Sequence, residues 1–232
     1  MQASEQLGTE IMYTIRQLLD DREVAVAKRI RAQVYCFEKG WISTEELTRD
    51  TDGYWSESDL HDDQKCVHVG AFDGAGEMVG TLRIILPVSE LPVEYHFGIR
   101  VPPRSAEVSR LAVHAGHRKG VAALGMYAWM IRYLLTEGYD FLYAIAERVM
   151  IRQLRLIGMN YEVIGDGRHL YQTFNYPTQL DVARARDAFA EKDKWRPFKL
   201  AAVLDHTDLE ELVITPSGIS VAGPSRRQGV RA

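Results

Sequence analysis

The tetrapeptide Glu107-Val108-Ser109-Arg110 sets a carboxylate, a hydroxyl and a guanidinium along one short β-rich run, and Arg83 lies in another. A carboxylate at the start of a strand, directly after a loop, can face a cleft. Burial there raises its pKa toward neutrality and makes it a base suited to an ammonium group. The same spacing suits an ion pair from Glu107 to Arg110 or Arg83, and from spacing alone that is the stronger reading. Ser109 has the oxygen of a nucleophile, but no histidine or lysine stands in a triad-like relation to it. It reads as a hydrogen-bonding strand residue. His114 and His117 find no third metal ligand, and the two cysteines, Cys36 and Cys66, form no CxxC, so neither a metal site nor a disulfide framework is expected.

The elements that must position these groups follow from periodicity and turn chemistry. Residues 4–37 read as one or two helices, the second with Val24, Ala27, Ile30, Arg31, Val34 and Tyr35 on one face and Asp20-Asp21 as its N-cap. Residues 38–65 are polar and irregular, yet Trp41, Tyr54 and Trp55 argue that the segment folds over something. Residues 66–72 and 78–86 form a hairpin around Asp73-Gly74-Ala75-Gly76. After a proline-rich connection, residues 106–113 read as a strand and 119–137 as a long apolar helix stopped by Gly138. A buried strand (141–146), a short helix (149–157), two further strands (161–164 and 170–174) and a helix (180–192) complete the order. The order describes a mixed α/β (α+β) domain over residues 1–215, a mixed central sheet flanked by helices, with a flexible tail over 216–232.

The chain has 232 residues, 46% hydrophobic and 26% charged, which allows one domain with a sizeable core. Its net charge of −4 gives no reason to expect nucleic acid as a partner. No apolar run approaches the length of a membrane span and the first residues carry no secretory pattern, so a cytoplasmic location is expected.

Taken in order, several pieces form a recognisable set: Arg31, Tyr35 and Trp41; Asp52; Gly80-Thr81-Leu82-Arg83 followed by Leu86-Pro87; and Glu107 to Arg110 with Val113 after it. The set resembles the signature of the acyl-homoserine-lactone synthases and their N-acyl amino acid synthase relatives. It covers roughly residues 24 to 160. The resemblance implies a GNAT-like acyltransferase fold and transfer of a fatty acyl group from a thioester to an amine. Such transfer needs a neutral amine, a polarised carbonyl and a dry cleft. By analogy Glu107 is the base, and Arg31, Tyr35, Trp41, Asp52, Trp55, Arg83, Ser109 and Arg110 shape the acceptor site.

One position departs from the pattern. Trp55 stands where the lactone synthases usually carry a second aspartate beside S-adenosylmethionine, which implies an amino acid acceptor with an uncharged or aromatic side chain. The superfamily's phosphate-binding loop is only partly matched by His117-Arg118-Lys119-Gly120-Val121-Ala122. That favours acyl-carrier protein over coenzyme A as acyl donor, with no tightly bound cofactor. Val113, Arg118, Gly120, Ala122, Met126 and Trp129 then mark the pantetheine and acyl-chain region, although Met and aromatic residues at helical spacing also suit plain core. Arg118, Lys119, Arg148, Arg152 and Arg155 are candidates to meet an acidic carrier protein. The alternatives are a lactone synthase using S-adenosylmethionine and a catalytically silent acyl- or partner-binding domain.

Overall fold

In the segment Tyr13 to Gln17 only Tyr13 and Ile15 are buried, an alternation with the period of a strand, and the chain forms β1 (Tyr13–Gln17) there. This corrects the helix expected over that stretch. The computed structural model describes residues 12–59, 61–62, 66–87, 90–118, 121–194, 199–206 and 210–222. Asp20 caps the next element by accepting from the Glu23 amide at 2.8 Å, opening α1 (Asp21–Arg31). The helix runs on into a π-helical stretch, Ala32–Glu38. Two short strands, β2 (Thr48–Arg49) and β3 (Trp55–Ser56), pair within the following loop.

The hairpin β4 (Cys66–Asp73) and β5 (Met78–Ile85) is as expected, and α2 (Pro92–Phe97) opens on a proline in the proline-rich connection. Then come β6 (Ser105–Val113), α3 (Ala122–Thr136), β7 (Phe141–Ala146), α4 (Arg148–Leu156), β8 (Glu162–Val163), β9 (Arg168–Leu170), β10 (Thr173–Asp181) and α5 (Val182–Asp193). The last strands are β11 (Glu211–Thr215) and β12 (Gly218–Ala222).

The strand expected over 170–174 straddles a turn: Tyr171 and Gln172 join β9 to β10, and the longer strand continues to Asp181. The tail expected from residue 216 begins instead as a hairpin. β12 pairs antiparallel with β11, and its Ile219 and Val221 pack on the core. Residues 223–232 lie outside the described residues.

The strand order is β12-β11-β1-β4-β5-β6-β7-β10-β8, with β9 on the side of β10. Alternate residues of β5 point to opposite faces. Leu82 and Ile84 join the main core under α3 and α5, together with Ile15, Met126 and Phe189. Arg83 and Ile85 point to the other face, which α1, the 43–62 loop and α2 cover.

One join in the sheet differs from the rest. β6 and β7 run parallel and pair only over Ser105↔Phe141, Ala106↔Leu142 and Glu107↔Tyr143. Beyond that point β6 continues along β5 as far as Gly80↔Val113, while β7 turns to β10 as far as Tyr176↔Ala146. The two strands therefore part and leave a wedge whose apex is Glu107 and Tyr143. Where it leaves β7, β6 carries a bulge against β5 between Thr81 and Arg83, with Arg110 at φ 56°. Among the described residues no helix is long and apolar enough to cross a membrane.

Candidate active site

Three arginines converge on the covered face of the sheet. Arg31 comes from the end of α1, Arg83 from β5 and Arg110 from the bulge in β6. Isolated guanidiniums cannot be buried without compensation, and the loop after β3 supplies it. Arg31, wholly buried, donates to Asp62 at 2.9 and 3.1 Å, and Glu57 lies 3.5 Å away. Its other terminal nitrogen meets His68 Nδ1 at 3.1 Å. Arg83 forms a two-pronged pair with Asp59 at 2.7 and 2.9 Å, approaches Asp62 at 3.0 Å and donates through Nε to Ser109 Oγ at 3.0 Å. Arg110 donates to Glu57 at 2.8 Å and to Asp59 at 2.7 Å. Arginine's planar fork suits this bidentate pairing.

The cluster sets its own titration. Burial alone would raise Asp59, but the Arg83 hydrogen bonds and the Arg83 and Arg110 charges hold its carboxyl down at about 2. Asp62, buried between Arg31 and Arg83, is likewise held well below the usual carboxylate range. His68 is pushed down to about 4 by burial and by the Arg31 charge, so it is neutral at pH 7.

Glu107 stands outside this network. It is 1% exposed, and among the described residues no ion pair within 4.0 Å joins it to an arginine. Its Oε2 accepts from the Val93 amide of α2 at 2.8 Å. Burial dominates and pushes its carboxyl up to about 8, against the opposing pull of the Val93 N–H and the Arg83 charge. The ion-pair reading of this residue therefore fails, and a buried carboxyl tuned near neutrality sits at the apex of the wedge. Such a group takes or gives a proton in the physiological range.

The remaining expected residues divide. Tyr35 lines the site: its hydroxyl donates to the Leu111 carbonyl of β6 at 2.7 Å, and burial pushes its pKa up to about 12. Trp41 packs on the Tyr35 ring at 5.5 Å, so it supports a residue of the site. Asp52 is not at the cluster. Its side chain is 64% exposed and pairs with Arg29. Trp55 is also elsewhere, with the Arg49 guanidinium over its ring at 3.7 Å.

The aspartate pair at the arginines is Asp59 and Asp62, three residues apart as positions 52 and 55 are. The aspartates that meet the arginines thus lie seven residues further along the chain than the two positions the resemblance picked out. Sequence reading missed Glu57, Asp59, Asp62 and His68. The usable signal was the Asp-x-x-Asp spacing at the end of the acidic loop.

Val113, Ala122, Met126 and Trp129 are buried in the main core. The Trp129 ring stacks on Tyr133 at 5.5 Å, and the Met126 methyl lies where a side chain on Gly80 would be. Arg118 donates to the Val113 carbonyl at 2.8 Å and pairs with Glu38. Lys119 and Gly120 lie outside the described residues. Of the other basic candidates, Arg148 donates to the Tyr176 hydroxyl and Arg155 to the Tyr161 carbonyl, while Arg152 is exposed.

No family model and no curated protein matches the sequence. Solved structures do resemble it. The CoA-dependent acyl-homoserine lactone synthase BjaI, in a structure with MTA, is 20% identical, covers 78% of this chain and 88% of its own, and superposes with a TM-score of 0.66. The AHL synthase LasI is 18% identical over 79% of this chain and 96% of its own, with a TM-score of 0.64. FeeM, an N-acyl amino acid synthase from uncultured soil microbes, is 17% identical over 79% of this chain and 98% of its own, with a TM-score of 0.59. The chain has the fold of these acyltransferases, a GNAT-like mixed sheet flanked by helices.

Proposed function

We propose that this chain is an amide-forming N-acyltransferase that moves a fatty acyl group from a thioester on acyl-carrier protein to the amine of an amino acid or amino acid derivative. The observation that carries this reading is Glu107, a buried carboxyl raised to about 8 at the point where β6 and β7 separate, outside the ion-pair cluster beside it. The Glu107 carboxylate takes a proton from the acceptor ammonium. The freed lone pair attacks the thioester carbonyl, the carbon–sulfur bond breaks as the tetrahedral intermediate collapses, and the amine's second proton passes to the departing thiolate. Products are an amide and a free thiol. Arg31, Arg83 and Arg110, with their carboxylates, form a rigid floor that keeps the acceptor site dry and fixed.

Trp55 lies away from the arginines and no longer favours a free amino acid as acceptor. Asp59 and Asp62 favour a second reading, in which the acceptor is S-adenosylmethionine, because that carboxylate pair is the feature whose absence argued against it. Incubation of the protein with acyl-carrier-protein and acyl-coenzyme A thioesters, each against a panel of amino acids plus S-adenosylmethionine, separates the cases. Thiol release with an amino acid supports the first, and release coupled to methylthioadenosine supports the second. No release with any pair refutes acyl transfer and leaves a silent acyl-binding domain.

A further inference from the structure

The β9–β10 hairpin is built at a cost that its own strands do not explain. Its two-residue turn, Tyr171-Gln172, has φ 53° and 60°, left-handed backbone that normally calls for Gly or Asn. The strain is held in place from below. Asn175, 6% exposed, donates to the Leu170 carbonyl at 2.8 Å and to Thr173 Oγ1 at 2.7 Å. The hairpin is also tied to α2, where Arg168 donates to the His96 carbonyl at 2.6 Å and the Tyr171 hydroxyl meets His96 Nε2 at 3.3 Å. His96 follows Val93, the residue that holds Glu107, by one helical turn. The result is a tyrosine ring fixed 5.4 Å from the Arg110 guanidinium, on a wall shared with the base.

Arg110 is already engaged by Glu57 and Asp59, and its side-chain hydrogen bond to Tyr171 goes to the hydroxyl and not to the ring face. Tyr171 remains 40% exposed, and the neighbouring Tyr95, 66% exposed, sits edge-on to His96 at 4.9 Å. Two accessible aromatic side chains therefore flank His96 at the rim of the site. Backbone strain of this kind persists where the surroundings over-determine it, and it clusters at ligand-holding positions.

We propose that Tyr171 determines acceptor specificity by stacking on a planar π-system carried by the amine substrate. The inference rests on the acyl-transfer reading above and narrows its acceptor. Two sources of such a group are separable: the side chain of an aromatic amino acid and the base of a nucleoside-bearing amino acid derivative.

The test is steady-state thiol release by the full chain with phenylalanine, tryptophan, S-adenosylmethionine, alanine and leucine as acceptors. Tyr171→Asn removes the ring while relieving the left-handed backbone, so a loss cannot come from a misfolded turn. Tyr171→Phe keeps the ring. The Asn variant raises KM for the π-bearing acceptor about tenfold, the scale of one aromatic stack, with kcat within about twofold, and leaves aliphatic acceptors unchanged. The Phe variant restores the wild-type KM. An equal loss for every acceptor, or a best acceptor with no planar group, overturns the proposal. Should the wild type release no thiol with any acceptor, the acyl-transfer reading fails by itself. Calorimetric binding of the same amines to wild type and Tyr171→Asn then still decides the role of Tyr171.

Discussion

Glu107→Gln separates a tuned base from a structural carboxyl, because it changes stability and activity in opposite directions. The carboxyl ionises at about 8 in the folded chain, against an ordinary value of 4.5. A raised acid pKa means the folded state holds the proton more tightly than the unfolded state. The stabilisation is complete below about pH 4.5 and is lost as pH climbs toward 8. Keeping that proton at pH 7 costs about 3 kcal/mol, at about 1.4 kcal/mol per pH unit. Glutamine has the shape of the neutral acid, and its amide oxygen can accept from the Val93 N–H. The variant should therefore gain up to about 3 kcal/mol at pH 7, a rise in Tm of several degrees for a chain of this size, and nothing at pH 4. Thiol release should fall by about a hundredfold or more. Wild-type kcat should climb with pH to a plateau above about 8. Thermal melts from pH 4 to 8 beside the kinetic profile measure both. A variant that is less stable at every pH, or one that keeps its rate, refutes the assignment.

Other perturbations test the cluster. Asp62→Asn removes the charge between Arg31 and Arg83, and breaking such a buried pair costs about 3–5 kcal/mol; chemical denaturation reads it, and an unchanged midpoint would contradict the pairing. Because Asp59 and Asp62 titrate low, their stabilisation is complete above the ordinary value of 3.8 and disappears as pH falls through about 2 for Asp59, so acid melts should show the loss between those limits. Asp59→Asn leaves Arg83 with Asp62 alone and Arg110 with Glu57 alone, so their stronger net charge should move the kcat midpoint assigned to Glu107 to lower pH. Asp52→Ala, at an exposed pair with Arg29, should change stability by less than about 1 kcal/mol and leave kcat unaltered. Gly158→Ala should cost about 3 kcal/mol or more, since its φ is 94° and a Cβ there would meet the Ala188 carbonyl oxygen at 2.6 Å.

Much of this molecule could be read from local patterns. The β4–β5 hairpin announced itself by its turn, α1 by its cap, and α3 by its apolar length. Glu107 and the three arginines were found because they lie on regular elements whose spacing survives in the sequence. The readings that failed share a physical cause, since each depended on long-range pairing or on loop length. β1 looks helical in isolation and becomes a strand because β4 and β11 bracket it. Asp52 and Asp59 are chemically alike, and only the course of the loop decides which one reaches Arg83. The Tyr171-Gln172 turn carries none of the usual Gly or Asn residues, so nothing local marked it.

Why a carboxyl beside three guanidiniums stays protonated near pH 7 is explained by the loop that sequence reading misjudged. A lone acid among Arg31, Arg83 and Arg110 would be pulled far below its ordinary value. Instead Glu57, Asp59 and Asp62 enter from one short segment and pair with the three cations, and the pull of Arg83 and Arg110 that still reaches Glu107 is outweighed by burial. Burial then decides its pKa. The loop therefore tunes the base without needing to touch substrate, and its acids are tied in number to the arginines they face. The site depends on these acids and not on positions 52 and 55, which lie away from the arginines. It would not tolerate the loss of one of those acids, because the arginine left uncompensated would draw the proton off Glu107 and weaken the fold at the same time.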